Sequence, residues 1–252
     1  MLILNKNWNI KSKKKIKKNV VVVINNIKKL YCNNNLSLDK KLTRKELNEY
    51  KLNLILTEEQ KDVIIGCCLG DLYIRVFSNK GCLLFEQKNK EYLFHLYEIF
   101  KSYVKTAPKE RKQKRLTTSE YKSTWYFNTI THNFFMEYRL FFYNQKSKYI
   151  NKDLINCITA RSLAYWYMAD GSKQSNYMYL LYTCSFTIDE HNILIDILLK
   201  KFNIQSFWKY ANVKKQLYPI LVISKKHSTN NSHLIFKELI KPYIIESMKY
   251  KL

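Results

Sequence analysis

Two aspartates carry the chemistry that this sequence offers. Asp71 stands at the end of the run Val63–Leu72 (VIIGCCLGDL), and Asp170 at the end of Ser162–Gly171 (SLAYWYMADG), 99 positions further on. Each run is apolar, holds no other charge and is long enough for a short helix. An aspartate at a helix C-terminus faces the negative end of the macrodipole, at a cost of about 0.3–1 kcal/mol. This chain does so twice, at equivalent places. Gly66 and Gly70 are four apart, share one helix face and permit close backbone approach. Tyr165 and Ala169 take their places in the second run. If the two helices pack through these positions, both carboxylates and both negative helix ends meet. A divalent cation resolves that repulsion, and carboxylate plus carbonyl oxygens suit Mg²⁺. Paired metal-bound carboxylates beneath a basic surface are equipment for phosphodiester hydrolysis, in which metals activate water and stabilise the leaving oxygen. Taken singly, each aspartate reads equally well as an ordinary helix-end or turn residue. The repeat favours the chemical reading.

The elements that must position these acids repeat as well. Thr57–Gln60 is a capping box that starts a helix through Val63–Gly70. A hairpin follows, Leu72–Phe77 and Cys82–Gln87 about a turn at Ser78–Gly81. Then come a helix over Asn89–Tyr103, a basic loop at Lys109–Arg115, a strand at Ser123–Ile130 and a helix at Asn133–Phe142. The second half gives a helix at Arg161–Ala169, strands near Tyr177–Tyr182 and Cys184–Phe186, and a helix at Asp189–Phe202. Strands at Ser206–Ala211 and Tyr218–Ile223 and a helix at Ser232–Ile240 complete it. Such a duplication points to a pseudo-two-fold molecule whose strands form a curved, basic, aromatic-studded surface. The division expected is a basic extension over 1–41 and two halves, 42–150 and 151–252.

Composition narrows the partner. The 252 residues carry 44 basic and 20 acidic side chains, a formal charge of +24, with 46% hydrophobic and 15% aromatic residues. Folding needs no such excess, and self-repulsion makes it costly. A polyanion is the plain partner, nucleic acid ahead of an anionic membrane surface. No apolar run approaches the roughly 18 residues that span a bilayer. The six cysteines form no CxxC pair, so zinc spacings are absent and reduced thiols are expected. The five histidines form no catalytic set. Only 4 glycines and 3 prolines stand among crowded Lys, Asn, Ile and Tyr, a bias of A/T-rich codons that points to an organellar genome. Residues 1–40 hold ten lysines and one aspartate. They read as a basic arm on DNA or RNA, a targeting segment or a translated leader.

At VIIGCCLGDLYI and LAYWYMADGS the sequence resembles the single-chain LAGLIDADG homing endonucleases. Ile64–Leu72 and Leu163–Gly171 fill the nine-residue motif, and the resemblance runs from about Leu42 to Leu252. FEQKNKEY (Phe85–Tyr92), LIKPY (Leu239–Tyr243) and MKYKL (Met248–Leu252) resemble the omega-intron, mitochondrial type. The resemblance implies an α+β fold, a duplicated αββαββα unit with two antiparallel sheets forming a DNA-binding saddle. It implies that Asp71 and Asp170 bind catalytic Mg²⁺, or Mn²⁺ in its place, with the carbonyls of Gly70 and Ala169 as auxiliary ligands. It also implies a basic residue near each metal, here Lys148 and Lys251, with Lys146 a competitor for Lys148. A lysine there can stabilise charge developing on phosphorus. Leu72 and Tyr165 depart from the motif, which expects glycine at both places.

On the strands, alternation puts Leu72, Ile74 and Val76 on one face and Tyr73, Arg75 and Phe77 on the other. Arg75 is thus expected to face DNA, with Gln87 and Lys88 from the next strand; Arg and Gln are good readers of base edges. Trp125, Asn128, Lys173, Lys209 and Lys214 are further candidates, each equally a phosphate contact or plain surface. The function expected is a monomeric, Mg²⁺-dependent endonuclease that cuts both strands of a long asymmetric DNA target and promotes intron mobility in the mitochondrion. The alternative is a maturase acting on intron RNA with the same fold.

Overall fold

A computed structural model describes residues 42–114, 121–213 and 215–252. The extension expected over 1–41 lies outside the described residues, as does Lys214. The described residues begin with α1 (Arg44–Leu52) and α2 (Glu58–Leu69), each started by a capping box, Thr43 with Glu46 and Thr57 with Gln60. The sequence reading found the second box and overlooked the first, although both are Thr-x-x-Glu/Gln.

After α2 come β1 (Tyr73–Phe77), β2 (Lys80–Gln87), α3 (Lys90–Phe100), β3 (Lys109–Lys114), β4 (Tyr121–Asn128) and α4 (Asn133–Phe142). The β1–β2 turn uses Ser78 and Asn79, both at positive φ (42° and 64°), the geometry of a tight two-residue hairpin. The strands form an antiparallel sheet in the order β1-β2-β4-β3. A small hairpin, β5 (Tyr143–Asn144) and β6 (Ser147–Lys148), and a short helix α5 (Leu154–Cys157) lead to the second half. There α6 (Ala160–Asp170), β7 (Gly171–Ser175), β8 (Met178–Leu181), α7 (Ile188–Phe202), β9 (Phe207–Val213), β10 (Gln216–Ser224) and α8 (Ser232–Ile240) follow. The second sheet has the matching order β7-β8-β10-β9. A 3₁₀ segment, Glu246–Lys251, runs to the end of the chain.

Two expectations need correction. The stretch expected as a basic loop from Lys109 is instead an outer strand over Lys109–Lys114, because an edge strand can carry charge on both faces and still pair, here with Tyr126–Tyr121. The strand expected at Cys184–Phe186 is absent; β8 instead pairs with Gly171–Ser175. GSKQS has no apolar alternation to reveal it, and its strand form comes from the ladder with β8.

One core joins both halves. Val63, Ile64, Leu69, Leu163, Ala164, Trp166 and Met168 are buried in it, together with Leu83, Phe85 and Phe127 of the first sheet and Leu181, Leu221 and Ile223 of the second. The seam is α2 against α6.

Candidate active site and nucleic-acid interface

The seam is built from residues 99 positions apart meeting face to face. Arg161 Nη1 lies 3.3 Å from Asp62 Oδ2. One turn on, Gly66 packs on Ser162 and Tyr165; a Cβ on Gly66 would come within 2.2 Å of the Ser162 carbonyl oxygen. Another turn on, a Cβ on Gly70 would lie 2.8 Å from the Ala169 Cβ and 3.3 Å from an Asp170 oxygen. The close approach expected of these small residues is therefore present. Tyr165, the departure from the motif, is accommodated because Gly66 faces it. Its hydroxyl makes a 2.6 Å hydrogen bond with His95 Nε2 on α3.

Leu72 has a similar explanation. Its counterpart Gly171 must be glycine because the Tyr167 ring passes where a Cβ would stand, at 2.0 Å. In the first half Cys68 takes the place of Tyr167, and a buried leucine fits at position 72.

The approach brings the two carboxylates together at one end of the seam. Burial, then the facing Asp71 carboxylate, pushes the Asp170 carboxyl up to about 7, while Lys148 and Lys251 pull against that rise. Lys148, presented by β6, donates from Nζ to the Gly70 carbonyl. Lys251 donates to the carbonyls of Met168 and Gly171, both at 2.8 Å. Burial lowers the pKa of each lysine, and Asp71 and Asp170 act against that lowering in both. Lys146, the competitor, is exposed on the same hairpin. Lys148 is positioned by its strand partner Tyr143, whose hydroxyl donates to the Leu72 carbonyl at 3.3 Å. One aromatic side chain thus ties the lysine hairpin to the segment just after Asp71.

The donor set fits a divalent cation. Among the described residues no group of three or more His, Cys, Asp or Glu side chains could hold a metal. The acids on offer are therefore two carboxylates, one of them held up to about 7 by burial and by the other. Such a pair is chemically suited to a hard cation that keeps several of its waters. Thiolate and imidazole chemistry is not built here. Cys67 and Cys68 are close by, but burial pushes both thiols up, Cys68 to about 12.

The strand registers sort the candidate DNA contacts. Tyr73 pairs with Leu84 and Leu84 with Asn128, so these lie on the face of the first sheet that points away from α3. Arg75 and Lys88 are exposed, Arg75 on that same open face. Gln87 and Trp125 are not there. They pair with each other, share the parity of buried Phe85 and Phe127, and Trp125 packs edge-on against Phe94 of α3. Alternation counted from β1 does not carry across to β2 without the register, which the sequence leaves open. In the second sheet Lys209 is half-buried and pairs with Ile220 on the face opposite the main core, where Leu180, Ile220 and Val222 form a small buried cluster, while Lys173 pairs with core residue Tyr179 and donates to the Leu252 main-chain oxygen.

The sequence reading missed a cluster on the first open face. Arg111 of β3 donates to Glu86 at 2.8 Å and lies 4.5 Å over the Tyr126 ring, and Thr124 donates to the other Glu86 oxygen at 2.7 Å. The signal was there: Lys109, Arg111 and Gln113 alternate with Glu110 and Lys112, but the stretch read as a loop.

Comparison with known proteins agrees with this geometry. Residues 61–230 match the LAGLIDADG DNA endonuclease family. The chain is 37% identical over 218 residues to a protein of Wickerhamomyces canadensis named "Probable intron-encoded endonuclease 1", covering 82% of this chain and 90% of that one. It is 30% identical to the DNA endonuclease I-ChuI of Chlamydomonas applanata, covering 78% and 95%. A solved structure of the homing endonuclease I-WcaI bound to its DNA recognition sequence superposes with a TM-score of 0.75 at 34% identity, covering 84% of this chain and 95% of that one. The family match over residues 61–230, relatives at 30–37% identity and the fold shared with I-WcaI place this chain in the LAGLIDADG family of DNA endonucleases.

Proposed function

We propose that the chain is a site-specific homing endonuclease that cuts both strands of a long, asymmetric duplex with Mg²⁺ held by Asp71 and Asp170. The observation that carries this reading is the convergence of the two carboxylates at the paired ends of α2 and α6, with one lysine amine on either side. The carbonyls of Gly70 and Ala169 are the auxiliary ligands in this reading. A cation bound there supplies Lewis acidity to the scissile phosphate and a more acidic water. The chain's own residues do the rest. The seam fixes the distance between the carboxylates, and Lys148 and Lys251 place positive charge where the pentacoordinate phosphorus gains negative charge. The open sheet faces hold the duplex through Tyr73, Arg75, Lys88, Asn128 and Lys209.

The complementary seam supports a monomer, because Asp62 needs Arg161 and Gly66 needs Tyr165, and each pair comes from one chain. The A/T-biased residue usage and the intron-encoded relative support a mitochondrial intron as the source. In the decisive experiment, purified protein is given Mg²⁺ and a plasmid carrying the uninterrupted insertion sequence. Linear product is expected, with Mn²⁺ able to replace Mg²⁺, and the D71N/D170N double variant should bind without cutting. A plasmid left intact by the parent protein in both metals sinks the reading.

A further inference from the structure

Helix α1 buries none of its residues. Its apolar contact with the core is slight, with Tyr50 packed half-buried against it. Polar ties add to that contact. Tyr50 Oη donates to the Ser102 carbonyl at 2.7 Å, Lys51 Nζ donates to Thr131 Oγ1 at 3.2 Å, and His132 Nε2 lies 3.1 Å from the Lys51 carbonyl. Docked this way, α1 walls a cleft of about 440 Å³, within the range of about 300–1,000 Å³ typical of ligand sites. The opposite walls are residues 105–109 and the end of β4, where β3 has parted from it after the Lys109–Tyr126 pair.

The lining is one-sided in charge. Lys51, Lys105 and Lys109 face the cleft with Thr106, Thr129 and Thr131, and among the described residues no acidic side chain lines it. Burial, then Lys80 and Lys105, lowers the pKa of Lys51, so like charges are gathered at this place. Such a gathering is costly until an anion joins it. The cleft is also continuous with the open face of the first sheet. Lys109 and Tyr126 are strand partners, and Asn128, which also lines the cleft, pairs toward Tyr73 through Leu84.

We infer that this cleft is a phosphate clamp: it grips the sugar-phosphate backbone of the target duplex where that strand leaves the edge of the first sheet. The inference rests on the endonuclease reading above and adds a binding site to it. A clamp of this kind adds affinity and register without reading bases.

The test is the salt dependence of duplex binding by the K51Q/K105Q/K109Q variant. Each phosphate that is no longer neutralised takes about 0.9 from the slope of log affinity against log salt. With three lysine charges removed, the deficit of the variant should be about 40-fold greater at 50 mM than at 200 mM salt. It should be uniform across cognate and single-mismatch targets, and phosphate-ethylation interference should vanish at one flank of the site. K105Q/K109Q keeps the Lys51–Thr131 tie and guards against misfolding; its slope should fall by about two-thirds as much. The inference is overturned by an unchanged slope, by specificity lost at a single base pair, or by binding lost to intron RNA while the duplex slope stays as in the parent. If the parent itself binds no duplex, the endonuclease reading fails first.

Discussion

The two seam helices do the same task with different side chains, and the differences are complementary. Where α2 has Asp62, α6 has Arg161; where α2 has Gly66, α6 has Tyr165; where α2 has Gly70, α6 has Ala169. These pairs face each other across a pseudo-two-fold axis. In a symmetric dimer each position would meet itself: two aspartates repelling, two tyrosines colliding, or two glycines leaving a gap. A chain that holds both copies is free to put charge against charge and bulk against space. The same freedom reaches the active centre. Lys148 arrives on a β-hairpin and meets one carbonyl, whereas Lys251 arrives on a 3₁₀ segment and meets two. Asp71 is exposed and Asp170 half-buried. The two centres share an origin and a location, and are not equals.

The largest expected effect follows from that inequality. D71N and D170N each remove a carboxylate on which the proposed metals depend, and each should slow cleavage by at least about 100- to 1,000-fold on the strand it serves. If each acid serves mainly one strand, each variant leaves a nicked product, and the two nick opposite strands. Equal and complete loss of both cuts in either variant would mean one shared metal between the halves. K148M and K251M sharpen the comparison on the same gel. Each should fall by about 100-fold, with the strand bias of its neighbouring aspartate. A K146M variant that loses as much as K148M would reverse the choice made on the Gly70 contact.

The sequence carried much of this site, and its omissions have physical reasons. Asp71, Asp170 and Gly66 stood out because spacing and repetition are properties of a sequence. The pairing of Asp62 with Arg161 was visible in the same 99-residue offset, but only once the two runs are placed face to face rather than end to end. Tyr165 looked like a defect because a motif is read one helix at a time, and the space it needs belongs to the other helix. The open face of β1 was legible from alternation. Gln87 and Trp125 were misplaced because a one-residue change of register turns every side chain over, and register is fixed by ladders between strands distant in sequence. β7 and β3 hid for a related reason: polar or charged strands at a sheet edge carry no apolar period.

The seam itself can be broken with one methyl group. G66A puts a Cβ 2.2 Å from the Ser162 backbone oxygen, which is part of α6 and cannot swing away. G70A puts one against a side chain, the Ala169 Cβ at 2.8 Å. Overpacking of the first kind costs about 1–3 kcal/mol, a fall in melting temperature of about 2–12 °C for a chain of this size. G66A should therefore lose more stability than G70A. In cleavage the order should reverse, because Gly70 lies beside Asp170 and its carbonyl is the acceptor for Lys148. Thermal melts and single-turnover cleavage of the two variants, measured side by side, test both orders. Equal melting losses would show that the helices slide rather than clash.

A pH dependence of stability separates the two aspartates without any substrate. The Asp170 carboxyl is raised to about 7 in the folded chain, against roughly 3.9 in an unfolded one. Between those values the folded state binds the extra proton, so this group favours folding most below about pH 4. Its contribution is lost progressively as pH rises and is fully gone above about pH 7. In metal-free buffer the melting temperature of the parent should fall across that window by more than that of D170N, which has no proton to lose. Added Mg²⁺ competes with the proton for the same oxygens, so its stabilising effect should grow as pH rises from 5 to 8. A parent and a D170N variant with parallel melting curves from pH 4 to 8 would mean that Asp170 sits in water, and that the seam does not press the two carboxylates together.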